Sequence, residues 1–501
     1  MIFRDWLKEL DYTLLQGSVD VETEDVIYDS RKAAPGKVFV AMKGIRVDGH
    51  SFIPQVLKAG VRVLVTERPV EEELKNSGLS EDELKQVTVV MVEEGRHALA
   101  LLSAARFDHP AKKLVMIGVT GTKGKTTTTH MIRAILLAAG KKVGMIGTTG
   151  TVIGYVVTPT LNTTPESYEL HQAFAQMVEA GCEYAVMEVS SQGIKMHRTD
   201  GLYFNYAIFT NISPDHIGPG EHADFEEYLY YKTRLLNMCG IGLVNKDDEH
   251  APQIIKAANC ELYTYSEESK EADFVASDIR YVSQPDFVGT EFHISGKYDM
   301  EVRLGIPGLF NVVNALAAVS VCSFLGLDQA RISHALENIR VNGRMEIVYT
   351  SERCTVLVDY AHNAVSMESL LSTLRDYKPK RLVCVFGCGG NRSKDRRYSM
   401  GEIGGKMADL SIITADNSRY EKVEDIIADI RGSIEKTGGK FIEIPARREA
   451  IRYSILHAQP GDMVAVIGKG HEDYQEINGV RHHFLDREVI EETVKELGEK
   501  A

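Results

Sequence analysis

Apolar runs of strand length alternate with helix-length segments between residues 112 and 337. Runs of this length, separated by helices, are typical of a mainly parallel β-sheet with helices on both faces. Residues 273 to 304 differ, because apolar and polar positions alternate there as in short antiparallel strands. The predicted parallel strands are Leu114–Val119, Val143–Gly147, Tyr184–Val189, Ala207–Ile212 and Gly242–Asn245.

Similar patterns on either side of this region indicate two further α/β domains. Residues 1 to 108 contain the predicted strands Lys37–Met42 and Val61–Val65, and a boundary is expected where His109-Pro110 precedes the next buried run. We therefore predict three domains, comprising residues 1–108, 109–337 and 338–501. The strands predicted for the last domain are Val356–Val358, Leu382–Phe386, Leu410–Thr414 and Met463–Ile467.

A glycine-rich turn, Gly118 to Thr127, joins the first strand of the central domain to a predicted helix. Such a turn directs backbone N–H groups and the positive end of a helix dipole to one point, which suits a phosphate. Lys125 is placed to reach the outer phosphates, and the Thr126 hydroxyl to hold Mg²⁺. The longer common pattern has glycine where Val119 stands, but the shorter form G-x-x-G-K-T is intact. A plain strand-to-helix turn is the alternative interpretation.

Polar clusters follow the other predicted strands. In open parallel sheets ligands bind at the carboxyl ends of strands, so these clusters are candidate site residues. Glu188 ends a buried strand and needs a partner or a cation, and Mg²⁺ is the natural choice beside a phosphate loop. His216 follows another strand; it is either a metal ligand or a capping histidine, since Mg²⁺ prefers oxygen.

Four strand ends of the last domain are also polar. They lie at residues 359–363, 387–397, 416–419 and 468–472. Arginine side chains make this predicted face cationic, which suits carboxylate ligands. The arginines are Arg392, Arg396, Arg397 and Arg419.

Composition excludes several classes of function. The formal net charge of −14 argues against a general binder of nucleic acid or membrane surfaces, which need a basic footprint. Residues 1 to 10 lack the apolar core of a signal peptide, and no apolar stretch is long enough to span a membrane. The seven cysteines form no C-x-x-C pair, which predicts free thiols. We expect a cytoplasmic protein.

Three other stretches carry little functional signal by themselves. The turn at Ser30 is explained by a strand end, and Asn162 to Glu166 by capping chemistry at a helix start. Lys232 lies in the helix-length run Phe225–Leu236, where a single lysine is expected to be solvated.

Taken together, the motifs resemble the Mur ligases, ATP-dependent three-domain enzymes that add amino acids to the UDP-muramoyl precursor of bacterial peptidoglycan. The resemblance runs nearly end to end. It implies an α/β fold with a small N-terminal α/β domain, a central P-loop ATPase-like domain with a mainly parallel sheet, and a C-terminal Rossmann-like α/β domain. The matching motifs are Gly121–Thr127, Glu188–Ser191, Thr210-Asn211, Asp215-His216, Gly308–Asn314, Gly343-Arg344 and Asp359–His362.

Within the family, residues 29–31, 162–165, 416–419 and 468–472 are similar to the members that add the third residue of the peptide. Those members join meso-diaminopimelate or L-lysine to UDP-N-acetylmuramoyl-L-alanyl-D-glutamate through an acyl phosphate. The resemblance implies a monomer that uses ATP and Mg²⁺ and that serves cytoplasmic cell-wall synthesis.

The resemblance also implies roles for individual residues. The catalytic set is Lys125, Glu188, His216 and Lys232, of which Lys232 aligns with a lysine that is carbamylated in the family. The Mg²⁺ ligands are Thr126, Glu188, His216 and the carbamylated Lys232. ATP is contacted by Gly121, Thr122, Lys123, Gly124, Lys125, Thr126, Thr127, Asn314, Arg344, Asp359 and His362. The UDP-muramoyl dipeptide is held by Ser30, Asn162, Thr163, Thr164, Ser190 and Arg198, and the diamino acid by Arg392, Asp416, Asn417, Ser418, Arg419, Gly468 and Glu472.

Arg419 decides the expected amino acid. Diaminopimelate carries one more carboxylate than lysine, and diaminopimelate-adding members keep arginine at this position. We therefore predict meso-diaminopimelate, although Ser418 replaces the proline of the usual D-N-P-R motif. The alternatives are L-lysine in the same reaction, a folylpolyglutamate-type ligase, and a nucleotide-binding regulator without catalysis.

Overall fold

The computed structural model describes residues 1–44 and 47–498. The chain forms two compact units, residues 1–265 and 266–501, and each is considered by itself. Among the described residues, no helix combines the length and the apolar character that crossing a membrane requires. The boundaries of the three predicted domains remain a prediction.

Strands of the first unit fall into a small N-terminal sheet and a larger central sheet. They are β1 (Thr13–Gln16), β2 (Asp25–Ile27), β3 (Lys37–Val40), β4 (Val63–Thr66), β5 (Thr88–Met91), β6 (Val115–Thr120), β7 (Val143–Gly147), β8 (Gly150–Ile153), β9 (Val156–Thr158), β10 (Tyr184–Glu188), β11 (Phe204–Phe209), β12 (Cys239–Asn245) and β13 (Glu261–Ser266). The helices are α1 (Phe3–Trp6), α2 (Ile53–Lys58), α3 (Glu71–Asn76), α4 (Glu81–Leu84), α5 (Gly95–Arg106), α6 (Lys125–Ala138), α7 (Ser167–Glu179), α8 (Ser191–Lys195), α9 (Phe225–Thr233) and α10 (Ala251–Ala257).

The second unit contains an antiparallel group of strands followed by an α/β series. Its strands are β14 (Phe274–Gln284), β15 (Phe287–Gly296), β16 (Met300–Leu304), β17 (Glu346–Thr350), β18 (Cys354–Asp359), β19 (Arg381–Phe386), β20 (Leu410–Ile413), β21 (Phe441–Glu443), β22 (Asp462–Ile467), β23 (Tyr474–Ile477) and β24 (Val480–His483). Its helices are α11 (Leu309–Phe324), α12 (Gln329–Glu337), α13 (Ala364–Asp376), α14 (Asp395–Met407), α15 (Val423–Thr437), α16 (Arg447–Leu456) and α17 (Asp486–Glu496).

The N-terminal sheet has the strand order β1-β5-β4-β3-β2, and only β1 is antiparallel to its neighbour. Successive side chains of a strand point to opposite faces. In β3, Val38 and Val40 therefore join the core that contains Trp6, while Phe39 joins a second core on the other face. Both faces are covered, as expected for an α/β sheet.

The central sheet runs β13-β12-β11-β6-β10-β7-β8-β9 within the first unit. Strands β6, β7 and β10 to β13 are parallel, and β8 and β9 form an antiparallel edge. Buried aliphatic and aromatic side chains on β6, β10 and β11 pack against α7 and α9. The carboxyl ends of β6, β10 and β11 therefore lie side by side, which gathers their polar ends at one edge.

The α/β series of the second unit has the order β17-β18-β22-β19-β20-β21. Only β17 is antiparallel to its neighbour in this sheet. Strands β18, β19, β20 and β22 thus end at the same edge, as the sequence predicts.

Most of the predicted strands are confirmed within a few residues, and Val143–Gly147 matches β7 at both ends. The predicted bounds of the strand Ala207–Ile212 are wrong, since β11 spans Phe204–Phe209 and so begins and ends three residues earlier. The chain leaves the sheet at Thr210, because Thr210 and Asn211 turn to hold the glycine loop. The antiparallel strands between residues 273 and 304 are confirmed, although β14 and β15 are longer than expected.

Candidate active site

The predicted phosphate loop connects β6 to α6 through residues 121 to 124. A Cβ atom on Gly121 would lie 1.9 Å from Oγ1 of Thr210, so only glycine fits there. Gly124, at the start of α6, has a φ of +87°, which also favours glycine. Val119, where the longer motif has glycine, is a fully buried strand residue. The loop therefore begins after the strand, at Gly121.

The residues that follow β11 fix the loop through hydrogen bonds. Oγ1 of Thr210 donates to the Lys123 carbonyl at 2.6 Å. Asn211 accepts hydrogen bonds from two loop amides, at 2.9 Å from Lys123 N and 2.8 Å from Thr122 N. The side-chain hydroxyl of Thr122 is 3.1 Å from the Tyr228 hydroxyl. Thr127, in the first turn of α6, is buried. These hydrogen bonds bring the predicted loop residues together between β6, β11 and α9.

Glu188, at the end of β10, is 1% exposed and faces the start of α6. Its carboxylate accepts hydrogen bonds from Oγ1 of Thr126 at 3.0 and 3.1 Å. Thr148 donates to it through its amide at 2.9 Å and its hydroxyl at 3.2 Å. These donors are neutral, although a buried carboxylate is stable only when its charge is compensated. An oxygen-rich set with a carboxylate and two hydroxyl groups fits Mg²⁺.

Lys125 and Lys232 converge on one backbone oxygen of the loop. Nζ of Lys232 lies 2.7 Å from the Gly121 carbonyl, and Nζ of Lys125 lies 2.8 Å from the same atom. Lys232 is only 2% exposed, so the expectation of a solvated lysine from helical spacing is wrong. Burial, reinforced by the Lys125 cation, lowers the pKa of Lys232 well below its usual value. A lowered pKa favours the neutral amine, which is the nucleophilic form that can react with carbon dioxide.

His216 lies on an exposed loop rather than at the buried carboxylate. Its φ is +53°, and its side chain is 57% exposed. Nδ1 of His216 is 3.1 Å from Glu221, and its ring lies 6.2 Å from the Tyr228 ring. Tyr228 contacts the phosphate loop, so His216 is near that loop through one intervening side chain. Its role as an Mg²⁺ ligand remains a prediction.

Four of the predicted contacts to the UDP-muramoyl dipeptide form one cluster around the end of β10. Thr164 donates to the Glu188 carbonyl at 2.9 Å and accepts from the Ser190 amide at 3.0 Å. Arg198 donates to the Thr164 carbonyl at 3.0 Å. Oγ1 of Thr163 is 3.0 Å from Oγ1 of Thr148, which itself binds Glu188. This cluster joins the predicted substrate loop directly to the predicted metal site.

The other two predicted contacts lie elsewhere in the first unit. Asn162 is exposed at the start of the loop that carries Thr163. Ser30 begins a short 3₁₀ helix after β2, next to Asp29, whose carboxylate accepts from the Arg31 amide at 3.0 Å. Both positions are accessible to a ligand.

The second unit holds the remaining predicted nucleotide contacts. Asn314 lies on α11, where its side-chain amide donates to Asn311 at 3.2 Å. Asp359, at the end of β18, accepts from the Met345 and Ala361 amides, each at 2.8 Å, and burial raises its pKa. Nδ1 of His362 is 2.8 Å from the Tyr360 carbonyl.

Arg344 packs its guanidinium group over the Tyr360 ring, 4.8 Å from the ring centre. Nε of Arg344 is buried, and the described part of the chain offers it no hydrogen-bond partner. This donor fits an anionic ligand such as a phosphate.

Asp416 and Asn417 follow β20 and meet the segment that follows β22. Gly468 lies so close to Asp416 that a Cβ atom there would be 2.8 Å from Oδ2. The Asn417 side chain donates to Glu472 at 2.9 Å. Lys469 is fully buried and lies 3.2 Å from Glu472 and 3.3 Å from Oδ1 of Asn417. The predicted diamino-acid residues of the two strand ends thus form one hydrogen-bonded group.

Arg419 lies beside this group in a left-handed backbone conformation, with a φ of +51°. Nη1 of Arg419 donates to the Gly390 carbonyl at 2.7 Å, and Nε is 3.6 Å from a carboxylate oxygen of Glu476. Ser418, the substitute for proline, is buried, whereas Arg392 is exposed. The side chain of Arg419 is 23% exposed, so a ligand can reach it.

The predicted cationic face is smaller than expected, because Arg397 does not contribute to it. Its side chain is 1% exposed and pairs with Glu421 at 2.8 Å and with Asp429 at 2.9 Å. Arg397 is therefore a neutralised structural residue.

Sequence reasoning missed Thr148 and Lys469. Thr148 follows β7 and binds both Glu188 and Thr163, but a single threonine after a strand gives no distinctive pattern. Lys469 is flanked by glycines, a context that suggests a solvated loop. The available signal was its place in the polar segment directly after β22, three residues before Glu472.

Three family descriptions match consecutive parts of the chain. The Mur ligase family catalytic domain matches residues 23–107, the Mur ligase middle domain residues 119–322, and the Mur ligase glutamate ligase domain residues 343–470. These matches include the phosphate loop, Glu188, and the Asp416 to Arg419 segment.

Similar proteins cover almost the whole chain. A UDP-N-acetylmuramoyl-L-alanyl-D-glutamate–2,6-diaminopimelate ligase from Caldanaerobacter subterraneus subsp. tengcongensis is 38% identical over 498 residues, covering 98% of each chain. A ligase of the same description from Clostridium perfringens is also 38% identical, covering 98% of this chain and 99% of its own. A solved structure described as the same kind of ligase superposes with a TM-score of 0.72 at 30% identity, covering 95% of this chain and 96% of its own. The chain therefore belongs to the Mur ligase family of ATP-dependent acid–amino acid ligases.

Proposed function

We propose that this chain joins meso-diaminopimelate to the D-glutamate γ-carboxylate of UDP-N-acetylmuramoyl-L-alanyl-D-glutamate in peptidoglycan synthesis. The observation that carries the amino-acid choice is Arg419, whose partly exposed side chain lies beside the Asn417–Lys469–Glu472 group. Relatives that are 38% identical bear the name of diaminopimelate ligases, which supports the same choice.

The charges of this site match a diamino acid with two carboxylates. Glu472 and Asp416 suit ammonium groups, whereas Arg419 suits a carboxylate through charge-assisted hydrogen bonds. L-Lysine lacks the second carboxylate and would leave Arg419 with its bond to Gly390 but without this charge-assisted partner. The expected discrimination is about 1 to 3 kcal/mol, or roughly ten- to a hundredfold.

The reaction requires activation of a carboxylate. An oxygen of the D-glutamate γ-carboxylate attacks the γ-phosphorus of ATP, the bond to the bridging oxygen breaks, and ADP leaves. The amine of diaminopimelate then attacks the acyl carbon and loses a proton, and phosphate leaves as the amide forms. In this proposal the loop amides and Lys125 hold the phosphates, and Arg198 and Thr164 orient the dipeptide substrate.

Mg²⁺ would be held by Thr126 and Glu188, with His216 and a carbamylated Lys232 as further predicted ligands. The neutral donors around the buried Glu188 carboxylate support this assignment. The ion would offset the negative charge that gathers on the phosphates during transfer. Asn314, Arg344, Asp359 and His362 are proposed nucleotide contacts of the second unit.

The amino-acid choice is tested with the purified protein, ATP, Mg²⁺ and the UDP-muramoyl dipeptide. Phosphate release and product mass are measured with meso-diaminopimelate and L-lysine in separate reactions. We expect a clear preference for meso-diaminopimelate. A preference for L-lysine would overturn the amino-acid choice alone. Turnover with a folate acceptor instead, or no amino-acid-dependent turnover, would overturn the proposed reaction.

We further propose that the protein acts in the cytoplasm as a monomer. Its seven cysteines are all free thiols, which fits a reducing compartment. Sedimentation of the purified protein tests the oligomeric state.

A further inference from the structure

Two imidazole rings and a carboxylate meet on the surface of the first unit. Nδ1 of His97 lies 2.6 Å from Oδ2 of Asp200, and Nδ1 of His197 lies 2.8 Å from the same oxygen. The three candidate ligand atoms all lie within 4.8 Å of one another. We propose that His97, His197 and Asp200 bind one divalent transition-metal ion of the zinc class, at a site made of residues other than the predicted Mg²⁺ ligands.

The three side chains are carried by two well-defined segments. His97 lies in the first turn of α5, which is capped by Glu94. His197 and Asp200 lie in the turn after α8, where the Arg198 amide donates to the Gly193 carbonyl at 2.8 Å. Ligands on hydrogen-bonded segments are positioned before an ion arrives, so little ordering is required on binding.

The donor set favours zinc-class ions over Mg²⁺ or Ca²⁺. Imidazole nitrogen suits Zn²⁺, Co²⁺, Ni²⁺ and Cu²⁺, whereas Mg²⁺ and Ca²⁺ prefer sites made of oxygen. With Zn–ligand distances of about 2.0 to 2.2 Å, tetrahedral ligand atoms stand roughly 3.3 Å apart. The present hydrogen bonds of 2.6 and 2.8 Å need only a small opening to reach that spacing. The ion would replace the hydrogens shared with Asp200.

Charge and access also favour a cation at this position. The side chains of His97, His197 and Asp200 are 44%, 38% and 22% exposed, so an ion can enter and keep bound water. Asp11 and Glu94 add negative charge that acts on His97. The neighbouring cations are engaged with another carboxylate: Arg198 lies 2.6 Å and Arg96 3.6 Å from Glu166.

Binding of an ion at this cluster would connect helix α5 with the turn that carries Arg198. Arg198 holds the Thr164 carbonyl in the predicted substrate cluster. An ion shared by His97 and His197 would restrain this turn against α5. The site would therefore stabilise the part of the unit that supports Arg198.

The test uses the full chain after chelation, titrated with Zn²⁺ and with Co²⁺ in the presence of excess Mg²⁺. The variants are His97→Gln and Asp200→Asn, and His482→Gln on the exposed strand β24 is the control. We expect the wild type and the control to bind one more tight equivalent of Zn²⁺ than the two cluster variants. Loss of a direct ligand should weaken binding by more than the roughly 10- to 100-fold that loss of a supporting partner costs. Co²⁺ should give a visible absorption band that the cluster variants lack.

Thermal unfolding supplies an independent measurement. Zn²⁺ should raise the melting temperature of the wild type and the control, but not that of His97→Gln. Circular dichroism of the metal-free variants checks their folding. His197→Asn, which tolerates the left-handed backbone at this position, replaces any variant that fails to fold. Equal Zn²⁺ stoichiometry and affinity in the wild type and a folded cluster variant would overturn the proposal and leave only a hydrogen-bonded cluster.

Discussion

The Thr126 hydroxyl lies 3.0 Å from the Glu188 carboxylate, although 62 residues separate the two along the chain. The pairing of β6 with β10 explains this proximity, because Val119 and Glu188 are register partners and the phosphate loop begins at Gly121, directly after β6. The sheet thus fixes the carboxylate relative to the start of α6.

Glu188→Gln should abolish most of the ATP-dependent ligase activity while preserving the fold. The amide keeps the shape of the carboxylate but loses the charge that the proposed Mg²⁺ site requires, and we expect a decrease of more than about 100-fold in kcat/KM. Steady-state kinetics at several Mg²⁺ concentrations measure the effect. Glu183→Gln is the matched control, because the half-exposed Glu183 precedes the same strand and pairs with Lys141. Equal activity of both variants would exclude Glu188 from metal binding.

Lys232 should carry a carbamate in the active protein. Burial lowers the pKa of its amine, which favours the uncharged form that reacts with carbon dioxide. Intact-protein mass measured under bicarbonate should show the added mass, and Lys232→Ala should be inactive but partly restored by a short carboxylic acid. The control variant Lys195→Ala, on the neighbouring helix α8, should still show the added carbamate mass and should be active without the carboxylic acid. An unmodified, fully active wild-type protein would argue against the modification.

Lys469→Met should weaken binding of the diamino acid without changing the KM for ATP. The buried ammonium holds Glu472 and Asn417, and its loss leaves a carboxylate without a cation, at an expected cost of about 1 to 3 kcal/mol. KM values for each substrate separate this effect from general damage. Lys394→Met removes an exposed pair with Asp429 and should leave all KM values unchanged. A uniform decrease in kcat with unchanged KM would instead indicate a structural role for Lys469.

Arg419→Ala should reduce kcat/KM for meso-diaminopimelate by roughly ten- to a hundredfold, with a much smaller effect on L-lysine. The reason is the loss of the guanidinium group that we propose as the partner of the second carboxylate. Arg396→Ala, from the same predicted cationic face, is a control for loss of positive charge. If kcat/KM decreases equally for both amino acids, Arg419 acts on the loop through its bond to Gly390 rather than on the substrate.

Buried parallel strands could be predicted from the sequence, because burial on both faces produces continuous apolar runs such as β7. The shift of β11 could not, since the sequence does not reveal that Thr210 bonds to the loop instead of continuing the sheet. The phosphate loop and Glu188 could also be predicted, because each lies at the end of a strand in a recognisable local sequence pattern. Lys232 required the fold, because its burial arises from packing against the loop carbonyl of Gly121. The His97–Asp200 cluster joins distant segments and had no local signal at all.

Val119 has a consequence for motif-guided engineering. It is buried in the centre of the sheet, between Glu188 on β10 and Ile208 on β11. Replacing it by glycine, as the longer motif would suggest, removes a side chain whose burial contributes about 1.5 to 3 kcal/mol and loosens a central strand. Completing the motif would therefore weaken the support of the carboxylate and the loop that the motif is meant to identify.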